Sequence, residues 1–141
     1  MYHFHAGTGP DTQAIGIALE EMFLSYKLDE RRAPVPVLIY GQARLPDAAN
    51  ILVALARQTG KFLPPDMEAA KAWLIKTPPG VDELAAALSD KDYILGPYSV
   101  ADMAMYPRVA FAAGPPASVD AWRYRLSLRP GVGRGMGVFS K

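Results

Sequence analysis

The sequence predicts an α+β fold: a mixed strand-and-helix segment followed by an all-helical one. Three observations predict it. Through the first 60 residues the hydrophobic period switches between two and 3.6. Beyond them the helical period persists. Proline pairs at Pro64-Pro65, Pro78-Pro79 and Pro115-Pro116 separate the later segments. The change of pattern coincides with the first pair, so a domain boundary is expected near residues 60–65, dividing the chain into units 1–62 and 63–141.

The elements follow in order. Tyr2 to Ala6 alternates aromatic residues with histidine before a Gly-Thr-Gly-Pro turn and reads as a short strand. From Asp11 to Tyr26 a helix is predicted, because Ile15, Ala18, Leu19 and Met22 share one face. Asp11 or Thr12 would cap its first amides. Residues 33–40 form a β-branched run with two prolines, read as an edge strand or as a turn leading into a strand. Gly41 and Gln42 turn the chain into a very short strand, Ala43 to Leu45. Pro46 is placed at the first position of a second helix, where its missing N–H costs nothing. Ala48, Ile51, Leu52 and Leu55 form that helix's apolar face, and Gly60 ends it. Four further helices are expected near residues 66–76, 81–90, 99–113 and 118–129.

Composition narrows the function classes. The chain has 141 residues, 50% hydrophobic and 21% charged, and a formal net charge of +1. That balance gives no electrostatic case for nucleic acid or a membrane surface. No leader-like or membrane-spanning run is expected, since the most apolar stretch, Ala101 to Ala113, is broken by Asp102, Pro107 and Arg108. With no cysteine, disulfides, thiolate metal sites and a cysteine nucleophile are excluded. A cytoplasmic protein fits this usage.

The sharpest local signal is Tyr98-Ser-Val-Ala-Asp-Met103. Ser99 and Asp102 stand at N-cap and N3 of a helix, the spacing of a reciprocal capping box. Tyr98 and Met103 occupy the positions of a hydrophobic staple.

Several segments then resemble glutathione S-transferases. Leu19-Glu-Glu-Met-Phe-Leu-Ser-Tyr26 looks like the end of that family's first helix, and Val35-Pro-Val-Leu38 like its strand start with a cis-proline. Leu45-Pro-Asp-Ala-Ala-Asn-Ile-Leu52 and Gln58-Thr-Gly-Lys-Phe-Leu-Pro64 are similar to the segments that follow. Tyr93-Ile-Leu-Gly-Pro-Tyr-Ser-Val-Ala-Asp102 matches the family's capped helix start. Residues 129–138 resemble the Arg-Pro-x-Val-x-Arg-Gly end of bacterial members, especially those with disulfide-reductase-like activity. The resemblance implies a reduced thioredoxin-like domain, an all-α C-terminal domain and a homodimer. It also shows two shortenings. Only residues 28–34 stand where the family has its second strand and second helix, and only residues 77–80 join two helices that are long in the family.

The implied chemistry is activation of the glutathione thiol, for conjugation to a small electrophile or for reduction of a disulfide. The family places a donor near the start of the first helix, where the positive helix end adds to it. Thr8 is the first candidate donor and Thr12 the second; the other reading makes Thr8 a turn residue and Thr12 a cap. Asp11 is a poor donor, because its carboxylate repels a thiolate. Val35, before cis Pro36, would pair its backbone with the cysteinyl unit of glutathione. Asp47 and Ala48 match the pair that holds the γ-glutamyl carboxylate at a helix start. Ala48 lacks the family's hydroxyl, so one charge-assisted bond of ~1.5–3 kcal/mol is expected to be missing. Glutathione is the only co-substrate implied, with no metal. A second class stays open: a non-catalytic glutathione-transferase-like interaction module that has lost glutathione binding.

His3 and His5 share a strand face and lack a third ligand for a metal. They are expected on a wet sheet face, with Tyr2 and Phe4 toward the core. Arg123, Arg125, Arg129, Arg134 and Lys141 follow Asp120 without an acid. They read as a solvated helix face and tail, or as an anion patch. Trp73, Trp122, Tyr106 and Phe111 are expected in the core or an interface.

Overall fold

The computed structural model describes residues 2–5, 7, 9–28, 36–45, 47–75 and 81–137. Four strands, β1 (Tyr2–His5), β2 (Tyr26–Leu28), β3 (Val37–Tyr40) and β4 (Ala43–Leu45), form one mixed sheet in the order β2-β1-β3-β4. β1 pairs parallel with β2 and antiparallel with β3, and β3 pairs antiparallel with β4. The helices are α1 (Pro10–Glu21), α2 (Ala48–Thr59), α3 (Met67–Leu74), α4 (Val81–Ala87), α5 (Val100–Val109), α6 (Ala117–Ser127) and α7 (Pro130–Met136).

Strand alternation sorts β1 as expected. Tyr2 and Phe4 are buried, whereas His3 is exposed and His5 half-buried. Tyr2, Phe4 and Leu38 meet Ile15 and Leu19 of α1 and Ile51, Leu52 and Leu55 of α2 in the first core. A second core joins Leu84 of α4, Ile94, and Val119, Trp122 and Leu126 of α6. α5 belongs to both. Val100, Met103 and Ala104 face the first core, and Ala101, Met105 and Val109 the second. A helix that is apolar all round must be enclosed, and α5 is.

The start of α5 is fixed as the sequence requires. Ser99 accepts from the Ala101 amide at 3.3 Å, and Asp102 accepts from the Ser99 amide at 3.0 Å, closing the capping box. Asp102 also accepts from the Ile94 amide at 3.0 Å and from Trp122 Nε1 at 2.8 Å. One buried carboxylate therefore fastens α5, α6 and the turn between α4 and α5. Tyr98 and Met103 both pack on the first core.

Several boundaries differ from expectation. α1 ends at Glu21, not Tyr26. Phe23 adopts a left-handed conformation (φ 56°), its amide bonds to the Glu20 carbonyl, and the Leu24 amide bonds to the Leu19 carbonyl at 3.0 Å. This is a Schellman stop built on phenylalanine in place of glycine, so no glycine announces it. The early stop releases Tyr26–Leu28 as β2, and the second strand is retained. α1 also begins one residue early. Pro10 takes its first position and Gly9 is the N-cap, so neither Asp11 nor Thr12 caps it. Asp47, not the segment's proline, opens α2; its side chain accepts from the Ala49 amide at 3.2 Å, and Pro46 lies outside the described residues. Phe111 is 88% exposed and belongs to neither core.

The sequence predicts no helix beyond residue 129, yet α7 forms there. Pro130-Gly-Val-Gly-Arg-Gly-Met136 has poor intrinsic helix propensity, yet it packs antiparallel on α1 through its glycines. The arginines before and within it each make a specific contact, although Arg134 is also solvated as expected. Arg123 donates to the carbonyls of Val109, Ala110 and Ala112 at 2.8–3.1 Å, closing the end of α5. Arg125 donates to the Asp92 carbonyl. Arg129 pairs with Glu21 at 2.8 Å, and its guanidinium lies 4.1 Å from the centre of the Tyr98 ring. Arg134 pairs with Glu20. Lys141 lies outside the described residues.

Candidate functional site

Register brings three distant segments to one end of the sheet. His5, the last residue of β1, pairs with Val37, the first residue of β3. Pro36 therefore sits beside the turn that leads into α1. Leu45, the last residue of β4, pairs with Leu38. The start of α2 thus emerges at the same end. The first turn of α1, the residue before β3 and the first turn of α2 converge there. Two of the three are helix N-termini, whose unpaired amides and dipoles favour an anion.

The candidate residues are distributed over this end as follows. Thr8 and Val35 lie outside the described residues. Pro36 is buried. Thr12, the third residue of α1, is fully buried, and its Oγ1 accepts from the Gly7 amide at 2.9 Å. That bond ties the helix to Gly7, the residue before Thr8 in the sequence. Asp47 is exposed, and its two carboxylate oxygens take the Ala49 amide at 3.2 Å and Asn50 Nδ2 at 3.5 Å. Ala48 is half-buried and contributes no hydroxyl.

One further residue reaches the site from the helical part. Arg108 of α5 places Nη2 3.5 Å from Asp11 Oδ1, in the first turn of α1, and donates from the same nitrogen to the Leu74 carbonyl at 3.0 Å. Its side chain is 10% exposed, that of Asp11 51%. No pattern in the sequence pointed to Arg108. It follows Pro107 inside an apolar helix, and its partners stand 97 and 34 positions away. Among the described residues no group of three or more His, Cys, Asp or Glu could hold a metal ion. Nor is any helix there long and apolar enough to cross a membrane.

No family model matches the chain, and no curated protein matches it by sequence. Solved structures do match in fold. A glutathione transferase family member from Pseudomonas fluorescens, with two glutathione bound, superposes at a TM-score of 0.80 and 17% identity, covering 96% of this chain and 92% of that one. A theta class glutathione S-transferase from Xanthomonas axonopodis pv. citri, with glutathione bound, gives 0.78 and 20% identity over 96% of each chain. A glutathione transferase from Burkholderia graminis, with two glutathione molecules per subunit, gives 0.76 and 20% over 96% and 87%. The chain has the glutathione transferase fold: a thioredoxin-like four-stranded sheet followed by a helical domain.

Proposed function

We propose that the chain is a shortened member of the glutathione transferase family that binds glutathione where α1, Pro36 and α2 converge. The observation that carries this reading is the register, His5 against Val37 and Leu38 against Leu45, which assembles two helix N-termini and the residue before β3 at one sheet end. Bound there, glutathione supplies a thiol that, once ionised by loss of its proton to solvent, displaces the leaving group from an electrophilic carbon, or attacks one sulfur of a disulfide to form a mixed disulfide while the other sulfur departs as thiolate.

The chain's own groups divide the work. Thr8 donates its hydroxyl to the thiolate and holds it. Thr12, buried and bonded to the Gly7 amide, keeps the preceding turn in place. The Val35 backbone, set by a cis bond to Pro36, pairs with the peptide of glutathione as an added strand. The first amides of α2, beside Asp47 and Ala48, receive the γ-glutamyl carboxylate. We further propose a two-domain division at 1–62 and 63–141, a homodimer and a cytoplasmic location, all from the family's pattern.

A second reading has its own observation. The Asp47 carboxylate already takes the Ala49 amide, and Ala48 offers no hydroxyl. An incoming carboxylate meets a like charge and one donor fewer, as in a module that has lost glutathione binding. Calorimetric titration with glutathione and with its disulfide separates the two. Saturable binding below millimolar concentration, lost in the presence of excess S-alkyl glutathione, supports the enzyme reading. No heat at millimolar ligand leaves the interaction module.

A further inference from the structure

A carboxylate in the first turn of α1 poses an electrostatic problem for the site. Asp11 favours the helix dipole, yet the same charge opposes a thiolate held at that helix end. Arg108 answers it. Its guanidinium lies 3.5 Å from Asp11 Oδ1, donates to the carbonyl of Leu74 at the end of α3, and contacts Met105 Sδ at 4.0 Å within its own helix. One nearly buried cation therefore joins the start of α1 to the end of α3 and to α5. Arg108 is the nearly buried member of the pair and Asp11 the half-exposed one.

We infer that Arg108 is a positioning residue of the glutathione site, cancelling the Asp11 charge and fixing the first turn of α1. This rests on the glutathione-binding reading above. Among the described residues, the neighbouring elements carry these charged and titratable groups. β1 ends in His5, and α2 begins after Asp47 at the same sheet end. From α7, the Met136 carbonyl accepts from Gln13 of α1, and Arg134 pairs with Glu20 near the other end of α1. On α3, Lys71 pairs with Glu68. Among the described residues, Arg108 is the cation paired with Asp11.

The test reads the thiol of bound glutathione by its thiolate absorbance as pH is raised, together with hydrogen exchange, without ligand, at the Gly7 amide that bonds Thr12 in the first turn of α1. Arg108→Met is expected to raise the bound thiol's pKa by about one unit, a roughly tenfold loss of thiolate below that pKa, and to speed exchange at that amide. Asp11→Asn alone, at a half-exposed position where folding is not at stake, is expected to lower the thiol pKa. The double variant should return it to within a few tenths of wild type while exchange stays fast. A thiol pKa unmoved by Asp11→Asn, or a double variant no better than Arg108→Met, overturns the inference and leaves glutathione binding standing. Absence of any glutathione binding by the wild-type protein overturns both readings together.

Discussion

Gly135 of α7 lies against the backbone of Ile17 in α1, so closely that a Cβ on Gly135 would collide with the Ile17 nitrogen and Cα and stand 2.7 Å from the Gly16 carbonyl carbon. Gly16 is itself buried. The two helices approach at glycine, backbone on backbone. One turn earlier, a Cβ on Gly131 would press on the Glu21 carboxylate. The glycines that weaken α7 as an isolated helix are what let it dock.

Gly135→Ala is therefore expected to be severe. The contact is with helix backbone, which cannot swing aside as a side chain can. Overpacking of this kind costs about 1–3 kcal/mol and can exceed it. Gly133→Ala, where a Cβ meets nothing within 4 Å, serves as the control and should be neutral or slightly stabilising. Thermal melts of the two variants check the pair. Equal melting temperatures would sink the glycine-contact account.

The Arg129–Glu21 pair fastens the same junction. Glu21 is 5% exposed, Arg129 35%, and they meet at 2.8 Å. Removing the arginine strands a buried carboxylate, which costs about 3–5 kcal/mol in well-buried pairs. Partial exposure of Arg129 lowers that toward about 2–3 kcal/mol. Arg129→Met should thus destabilise strongly, and Glu21→Gln in the same chain should recover most of the loss. Urea unfolding of the single and double variants measures the recovery. No recovery would assign the loss to the Tyr98 stacking instead.

Asp102 makes stability depend on pH in an unusual direction. Burial pushes its carboxyl from 3.8 up to about 6, against the bonds from Ile94, Trp122 and Ser99 that hold it down. The folded state then binds a proton that the unfolded state has released. Stability contributed at this site is present below 3.8 and is lost as pH rises through about 6. The swing is on the order of 3 kcal/mol. Asp102→Asn cannot titrate, so the stability gap between wild type and this variant should narrow as pH climbs from 4 to 7. Chemical unfolding across that range decides it. A gap that widens with pH would mean the three hydrogen bonds outweigh burial.

What the sequence made legible depended on where the determining contacts lie. The capping box at Ser99 and Asp102 is written within four residues, so its helix start was readable and its partners formed. The alternation of Tyr2 and Phe4 with His3 and His5 is equally local, and it sorted the faces of β1. The end of α1 was not readable, because a phenylalanine occupies the left-handed position that glycine normally marks. α7 was hidden for the opposite reason: its glycines argue against a helix locally, and only contact with Ile17 and Glu21 explains them. At the candidate site, the segments around Pro36 and Asp47 were found by resemblance, and their convergence needed the register. Arg108 reaches Asp11 across 97 positions, a distance at which no local pattern speaks.

Thr12 and Thr8 separate scaffold from chemistry. The Thr12 hydroxyl is buried and accepts the Gly7 amide at 2.9 Å. Thr12→Val keeps the shape and leaves that amide without its partner, a cost of about 1–3 kcal/mol. Thr12→Ser restores the oxygen and should recover most of the stability, apart from the small loss of a buried methyl. Thr8→Ala tests the proposed donor and should lower turnover with glutathione roughly a hundredfold, the scale of losing one preorganised donor. Melting curves for the Thr12 pair and thiol-transfer rates for Thr8→Ala give independent answers. The proposal predicts that glutathione affinity falls in Thr12→Val, through displacement of the turn, while Thr8→Ala binds and fails to react. A Thr8→Ala protein with full turnover would move the donor elsewhere, and a Thr12→Val protein as stable as wild type would show that the Gly7 amide does not depend on it.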